Sequence, residues 1–168
     1  RQIFDTFESE IMNKYKKPKF QEDTLGVNPY LASLKIEVNE LPFNGTFRKV
    51  KGGYEQVFGR VEVDDSCKVF VSSARRKHIS GMKANSKSLL LWVMMECDWG
   101  KDFLWINRVR YMEENNVLSV NTYKAALRDL IRYGFLAETA TSGVFWINPY
   151  FFFSGNRITS FAKHVKMK

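Results

Sequence analysis

Four side chains that hydrogen-bond in defined directions, Asn121, Thr122, Lys124 and Arg128, fall within one short stretch of this 168-residue chain. An Asn amide presents a donor and an acceptor together, which suits adenine, and Arg or Lys presents donors that suit guanine. The chemistry open to such a set is the reading of base edges, not bond breaking. Spacing decides whether the set can act as a unit. Tyr123, Ala126, Leu127, Leu130 and Ile131 recur every three or four residues and so share one helix face. Asn121, Thr122, Lys124, Ala125, Arg128 and Arg132 fall on the remaining circumference. Ser119 stands where an N-cap hydroxyl can accept a first-turn N–H, and Gly134 where a left-handed C-terminal cap is needed.

The elements that must hold this helix are also legible. A short helix is expected over 108–115, with 116–118 as the turn into the longer helix. Beyond Gly134 the chain reads as a strand at 136–139, turn material at 140–143 and a second strand at 144–147. Helix, turn, helix and hairpin in that order are the arrangement of a winged helix, with the basic helix as its recognition helix. The plainer alternative is a small α+β domain whose helix merely packs on a hairpin. Upstream, the run from Leu89 to Met95 is apolar on every side of a helix expected over 83–97, so it must be buried on more than one face. One of those faces is expected against the recognition helix. A strand at 103–106 would join the hairpin. The candidate DNA contacts are Ser119, Asn121, Thr122, Lys124, Arg128 and Arg132, with Arg108 on the preceding helix, Thr141 and Ser142 at the hairpin tip, and Arg157 in the tail.

Toward the N-terminus, Ile3, Phe4, Phe7, Ile11, Met12 and Tyr15 make an apolar helical stripe that Pro18 ends. That helix would pack on its own domain or dock on a second copy of the chain. Residues 18–33 read as irregular, with a turn at Asn28-Pro29-Tyr30-Leu31. Leu34, Ile36 and Val38 then alternate with polar residues, Asn44-Gly45 suits a tight hairpin, and further extended pieces fall at 46–50, 56–63 and 68–71. Arg75-Arg76-Lys77-His78 is a dense positive run, either a phosphate contact or a solvated linker. The fold class expected is therefore α+β: a winged helix-turn-helix domain over 79–168, tail included, preceded over 1–78 by an N-terminal helix and a small antiparallel β region.

Composition narrows the function. Net charge is +8, with +3 through Ser80 and +5 after it, which suits an anionic partner such as double-stranded DNA better than a membrane. No apolar run is long enough to span a bilayer, and no signal peptide is visible. The chain starts at Arg1 rather than Met, as expected of a fragment or a trimmed product. Cys67 and Cys97 are isolated in sequence and indicate no disulfide framework, which suits a reducing cytoplasm. Only two histidines, His78 and His164, are present, unpaired; no phosphate-binding loop occurs, and no cofactor or metal is expected. Asp64-Asp65 reads as a solvated turn pair. The protein reads as a non-enzyme.

The tail Ile147-Asn148-Pro149-Tyr150-Phe151-Phe152-Phe153-Ser154-Gly155-Asn156-Arg157 resembles the signature of RepL-like plasmid replication proteins. Leu90-Leu91-Trp92, Thr122-Tyr123-Lys124-Ala125-Ala126-Leu127, Gly134-Phe135 and, more weakly, Asn28-Pro29-Tyr30-Leu31 also look like that family. The resemblance covers 83–157 well and the β region poorly. It implies a winged-helix protein that binds origin DNA and recruits host replication proteins. A winged-helix transcriptional regulator, or a virion-associated structural protein using the fold to bind protein, stand as alternatives. A homodimer is expected from the apolar surplus at 89–95 and the stripe at 3–15. Side-chain alternation places Phe151 and Phe153 on one face, against the wing or the helix core, and Phe152 on the other, toward the β region or a partner. Gly155-Asn156-Arg157 would form a tight turn that holds Arg157 at DNA or at an acidic side chain.

Overall fold

The computed structural model describes residues 15–38, 47–56, 67–69 and 73–167. In chain order these form two 3-10 turns, Glu22–Leu25 and Pro29–Ser33, and strands β1 (Ile36–Val38), β2 (Phe47–Val50), β3 (Gly53–Gln56) and β4 (Cys67–Val69). Helices α1 (Ser73–Gly81) and α2 (Ala84–Met95) follow, then β5 (Phe103–Trp105), α3 (Arg108–Glu114), α4 (Val120–Arg132), β6 (Leu136–Glu138) and β7 (Val144–Ile147). Last come β8 (Phe152–Ser154), α5 (Arg157–Ser160), a 3-10 turn at Ala162–His164 and β9 (Val165–Met167). The class is α+β, with helices and several small sheets. The stripe at 3–12, the Asn44-Gly45 turn and most of the piece at 56–63 lie outside the described residues.

From α2 to β7 the elements form where the sequence places them. α2 lies along α4, and Leu89, Leu90, Trp92 and Val93 from the one meet Ala126 and Leu130 from the other in a single apolar cluster. Strand β7 is the middle of an antiparallel sheet in the order β5-β7-β6. All four of its residues are buried, because both of its faces are covered. Phe145 and Ile147 face the helical cluster, whereas Val144 and Trp146 join Leu25 and Phe103 in a second one, with Phe20 packed on its edge. An uninterrupted Val144-Phe145-Trp146-Ile147 run is what a strand buried on two sides requires. Burial of α2 is less complete than its composition suggested. Leu91 stays 60 % exposed and Met95 67 %, one turn apart on the face turned away from α4.

The N-terminal part meets expectation in part. Among its described residues β2 and β3 form an antiparallel pair of their own, turning at Lys51-Gly52, where Gly52 takes a φ of +97°. β1 pairs in parallel with β9, and β4 pairs antiparallel with β8. Alternation identifies a strand but carries no information on its partner, and here the partners come from the tail. The basic run 75–78 is not a linker: its residues belong to α1, which crosses the boundary expected at residue 78.

Two copies of one tripeptide fasten these parts. Asn28-Pro29-Tyr30 and Asn148-Pro149-Tyr150 fold alike, each Asn side chain accepting the Tyr N–H two residues on at 3.0 Å. Each Asn is buried and spends its amide on distant backbone: Asn28 on the Ile147 carbonyl at 3.0 Å, Asn148 on the Gly134 carbonyl at 2.7 Å. The tyrosines cross over. The Tyr30 hydroxyl donates to the Leu136 carbonyl at 2.6 Å, and the Tyr150 hydroxyl donates to the Ser33 carbonyl at 2.9 Å and accepts from Lys35 N–H at 2.8 Å. The first turn thus grips β6 and β7, and the second grips the chain leaving the first.

The aromatic tail is absorbed into the core differently from the simple alternation. Phe152 and Phe153 are both fully buried, Phe153 against the Phe161 ring at 5.0 Å. Phe152 packs into the same core cluster as Phe153, beside its ladder partner Val69 of β4. Phe151 belongs to the turn closed by its N–H to the Asn148 carbonyl, so strand alternation does not extend to it, and its ring lies 4.5 Å from that of Phe135. Gly155 (φ +117°) is obligatory, since a Cβ there would overlap the Trp99 ring.

Candidate nucleic-acid interface

α4 is held by its apolar side and capped at its start. Tyr123, Ala126 and Leu130 are buried, and the Ser119 hydroxyl accepts the Asn121 N–H at 3.2 Å. At its far end Gly134 takes a φ of +75° and its N–H reaches the Ile131 carbonyl. The turn from α3 is tight: Asn116 adopts a left-handed φ of +52°, and Val117 N–H bonds the Met112 carbonyl at 2.8 Å. Side chains lock the three helices together. Trp92 donates to Glu114 at 2.7 Å, Arg110 bridges Glu114 (2.7 Å) and Glu96 (2.8 Å), and Ser86 donates to Asp129 at 2.8 Å. Hydrogen bonds from Trp92 and then Arg110 hold the Glu114 carboxyl below the usual carboxylate range. Burial pushes the Tyr123 phenol up to about 12 despite the nearby Arg108 charge, so both buried tyrosines of this cluster, Tyr111 and Tyr123, stay neutral spacers.

An adjoining flank of α4, with Leu127 and Ile131 at the edge of its apolar stripe, forms one wall of an open groove lined by Asn121, Lys124, Leu127, Arg128, Ile131 and Glu138. Asn121, Lys124 and Arg128 are exposed and Thr122 is half-buried. Among the described residues no carboxylate forms an ion pair with Lys124 or Arg128. Arg128 Nε leans on the Lys124 carbonyl at 3.4 Å, which sets the guanidinium along the helix. Arg132 differs: it pairs with Asp129 at 3.2 Å and lies over the Tyr133 ring at 5.0 Å. It is exposed but already engaged.

The remaining candidates fall elsewhere. Arg108, exposed at the start of α3, lines a separate depression with Val109, Met112, Leu118 and Val120. Thr141 and Ser142 sit at the tip between β6 and β7, Ser142 exposed and Thr141 half-buried. The tip is shaped by Thr139, whose hydroxyl accepts the Thr141 N–H at 3.1 Å and donates to the Val144 carbonyl at 2.9 Å. Arg157 is half-buried and donates to the Pro149 carbonyl at 2.9 Å, so one of its roles is to brace the second Asn-Pro-Tyr turn. Sequence reasoning missed Glu138, which carries an exposed carboxylate into the basic groove. Nothing in its local pattern marks it; only the pairing of β6 with β7 brings it beside α4. Leu118, in the turn before α4, is 98 % exposed, which no turn signal around it predicts.

Neither a protein-family model, nor a curated protein, nor a solved structure matches the chain. Among the described residues no group of three or more His, Cys, Asp or Glu is placed to hold a metal ion, and no helix is long and apolar enough to cross a membrane.

Proposed function

We propose that 79–168 is a winged helix-turn-helix unit and that the protein binds double-stranded DNA through it. α2, α3 and α4 are the three helices, β5-β7-β6 the sheet, and the tip at 139–143 the wing. The observation that carries the reading is the contrast between the two sides of α4. One side is packed and cross-braced; the other offers Asn121, Lys124 and Arg128 along one open groove. A helix N-terminus presented in this way fits the major groove, with Asn121 and Thr122 nearest the bases. Thr141 and Ser142 would contact the sugar-phosphate backbone, fixing position without reading sequence. By the resemblance of its tail, the protein acts in plasmid replication, as an initiator or in replication control, on origin repeats and with host replication proteins. A two-fold dimer would set half-sites about 34–36 Å apart, or a multiple of that.

The test is selection of a duplex from a random pool, followed by titration of Arg128→Ala and Lys124→Ala. A bidentate base contact by Arg128 predicts a loss of roughly 1–3 kcal/mol on the selected site, with a smaller loss on random duplex. Equal losses on both would reduce Arg128 to a phosphate contact. Absence of duplex binding by the parent chain at low salt would overturn the DNA-binding reading. A copy-number change on Arg128→Ala in a plasmid carrying the gene separates a replication role from transcriptional regulation.

A further inference from the structure

The chain's only two cysteines are far apart in sequence but meet in the fold. Cys67 opens β4, whose register sets it opposite Ser154 of β8. The Ser154 carbonyl accepts the Gly100 N–H at 2.8 Å from the loop leaving α2. Cys97 stands at the start of that loop, just beyond the helix cap Glu96, with its thiol 3.2 Å from the Val93 carbonyl. Ser154 therefore ties both segments together, and both cysteines are partly buried against the same apolar cluster. The two thiols are close enough there for each to shift the titration of the other.

We propose that Cys67 and Cys97 are a redox site, converted by peroxide to an intramolecular disulfide that clamps the end of α2 onto the β4–β8 ladder. This reading is independent of DNA binding. The two sulfurs have different roles. The neighbouring Cys97 side chain holds the Cys67 thiol below the ordinary cysteine value, against the opposing effect of burial and helped by a backbone hydrogen bond at Phe153, while the Cys97 thiol donates its proton to the Val93 carbonyl. The same contact, with burial and the charges of Asp98 and Glu96, pushes Cys97 up. Cys67 is thus the thiol that ionises first, and the thiolate is the nucleophile. Its sulfur attacks one peroxide oxygen; the O–O bond breaks, the departing hydroxide takes a proton as water, and Cys67 becomes a sulfenic acid. With the Cys67 negative charge gone, Cys97 loses its proton more readily. Its sulfur attacks Cys67, the S–O bond breaks, and a second water leaves with that proton. Two thiols and one hydrogen peroxide give one disulfide and two waters.

The experiment is treatment of the purified full chain with hydrogen peroxide, followed by intact-mass measurement and non-reducing peptide mapping. The expected result is a loss of two hydrogens, one peptide pair joined through Cys67 and Cys97, reversal by dithiothreitol, and a higher Tm in the oxidised form because the crosslink restricts the unfolded chain. Cys97→Ser should accumulate a sulfenic acid at Cys67 that dimedone traps, whereas Cys67→Ser should react far more slowly. Oxygen adducts on the parent chain without an internal crosslink, or crosslinks between chains only, would overturn the proposal. Mapping on the parent chain needs no variant to fold.

Discussion

Arg128 and Arg132 are one helical turn apart on α4 and identical in chemistry, yet their surroundings assign them different duties. Arg132 is spent on Asp129 and the Tyr133 ring, whereas Arg128 faces the groove with Lys124 and Asn121. Arg132→Ala is therefore expected to weaken DNA binding less than Arg128→Ala, and a side-by-side titration on the selected duplex checks the order. Its effect on stability should be small as well, since Arg132 is largely exposed and such pairs contribute about 0.2–1 kcal/mol. Arg157 makes the opposite case. A guanidinium that donates to the Pro149 carbonyl holds the chain's own backbone. Arg157→Ala is expected to lower Tm and leave the log–log salt slope of DNA binding unchanged. A slope smaller by about one would instead mark a phosphate contact.

Among the elements, the α2–α3 junction depends on a carboxylate. Trp92 and Arg110 both donate to Glu114 and hold its carboxyl low, so the folded state resists its protonation more than the unfolded chain does. The stabilisation is complete above the usual carboxylate range and disappears as pH falls through the depressed folded value. The parent chain should melt above Glu114→Gln at neutral pH, and the gap should close on acidification. A Tm difference that stays constant between neutral and strongly acidic buffer would remove Glu114 from the account. The paired Asn-Pro-Tyr turns allow a sharper stability test. Asn28 is buried, with its amide on the Ile147 carbonyl and its oxygen on the Tyr30 N–H. Asn28→Ala strands both partners and should cost about 1–3 kcal/mol in denaturant unfolding. A neutral result would mean that water replaces the side chain.

At the scale of the whole molecule, the segments before α1 are fastened to the tail through β1–β9, β4–β8 and the Tyr150 hydroxyl, and to β6 through Tyr30. What this leaves uncovered is the outer face of α2, with Leu91 and Met95 exposed one turn apart. If that face carries the proposed dimer, Leu91→Glu should give a monomer in sedimentation and a half-length footprint on the selected duplex. An unchanged mass and footprint would move the dimer contact elsewhere, and a parent chain that is monomeric both free and on DNA would remove the dimer altogether.

The sequence by itself determined what neighbours along the chain decide. The face of α4, its Ser119 cap, the reversal at Gly134, the strands at 136–138 and 144–147 and the Asn28-Pro29 turn all follow from spacings within a few residues, where periodicity and backbone preference act. Only the tertiary structure decided which strands pair. Alternation in Ile36-Glu37-Val38 predicts an edge to be bonded, but its parallel partner at Val165–Met167 lies beyond every local signal. The same reason hid the meeting of Cys67 with Cys97, the burial of Phe152 in the main core beside β4, the brace between Arg157 and Pro149 and the arrival of Glu138 in the groove beside Arg128. Each is a contact between distant segments, and its free energy comes from burial and hydrogen bonds that exist only once the chain has closed on itself.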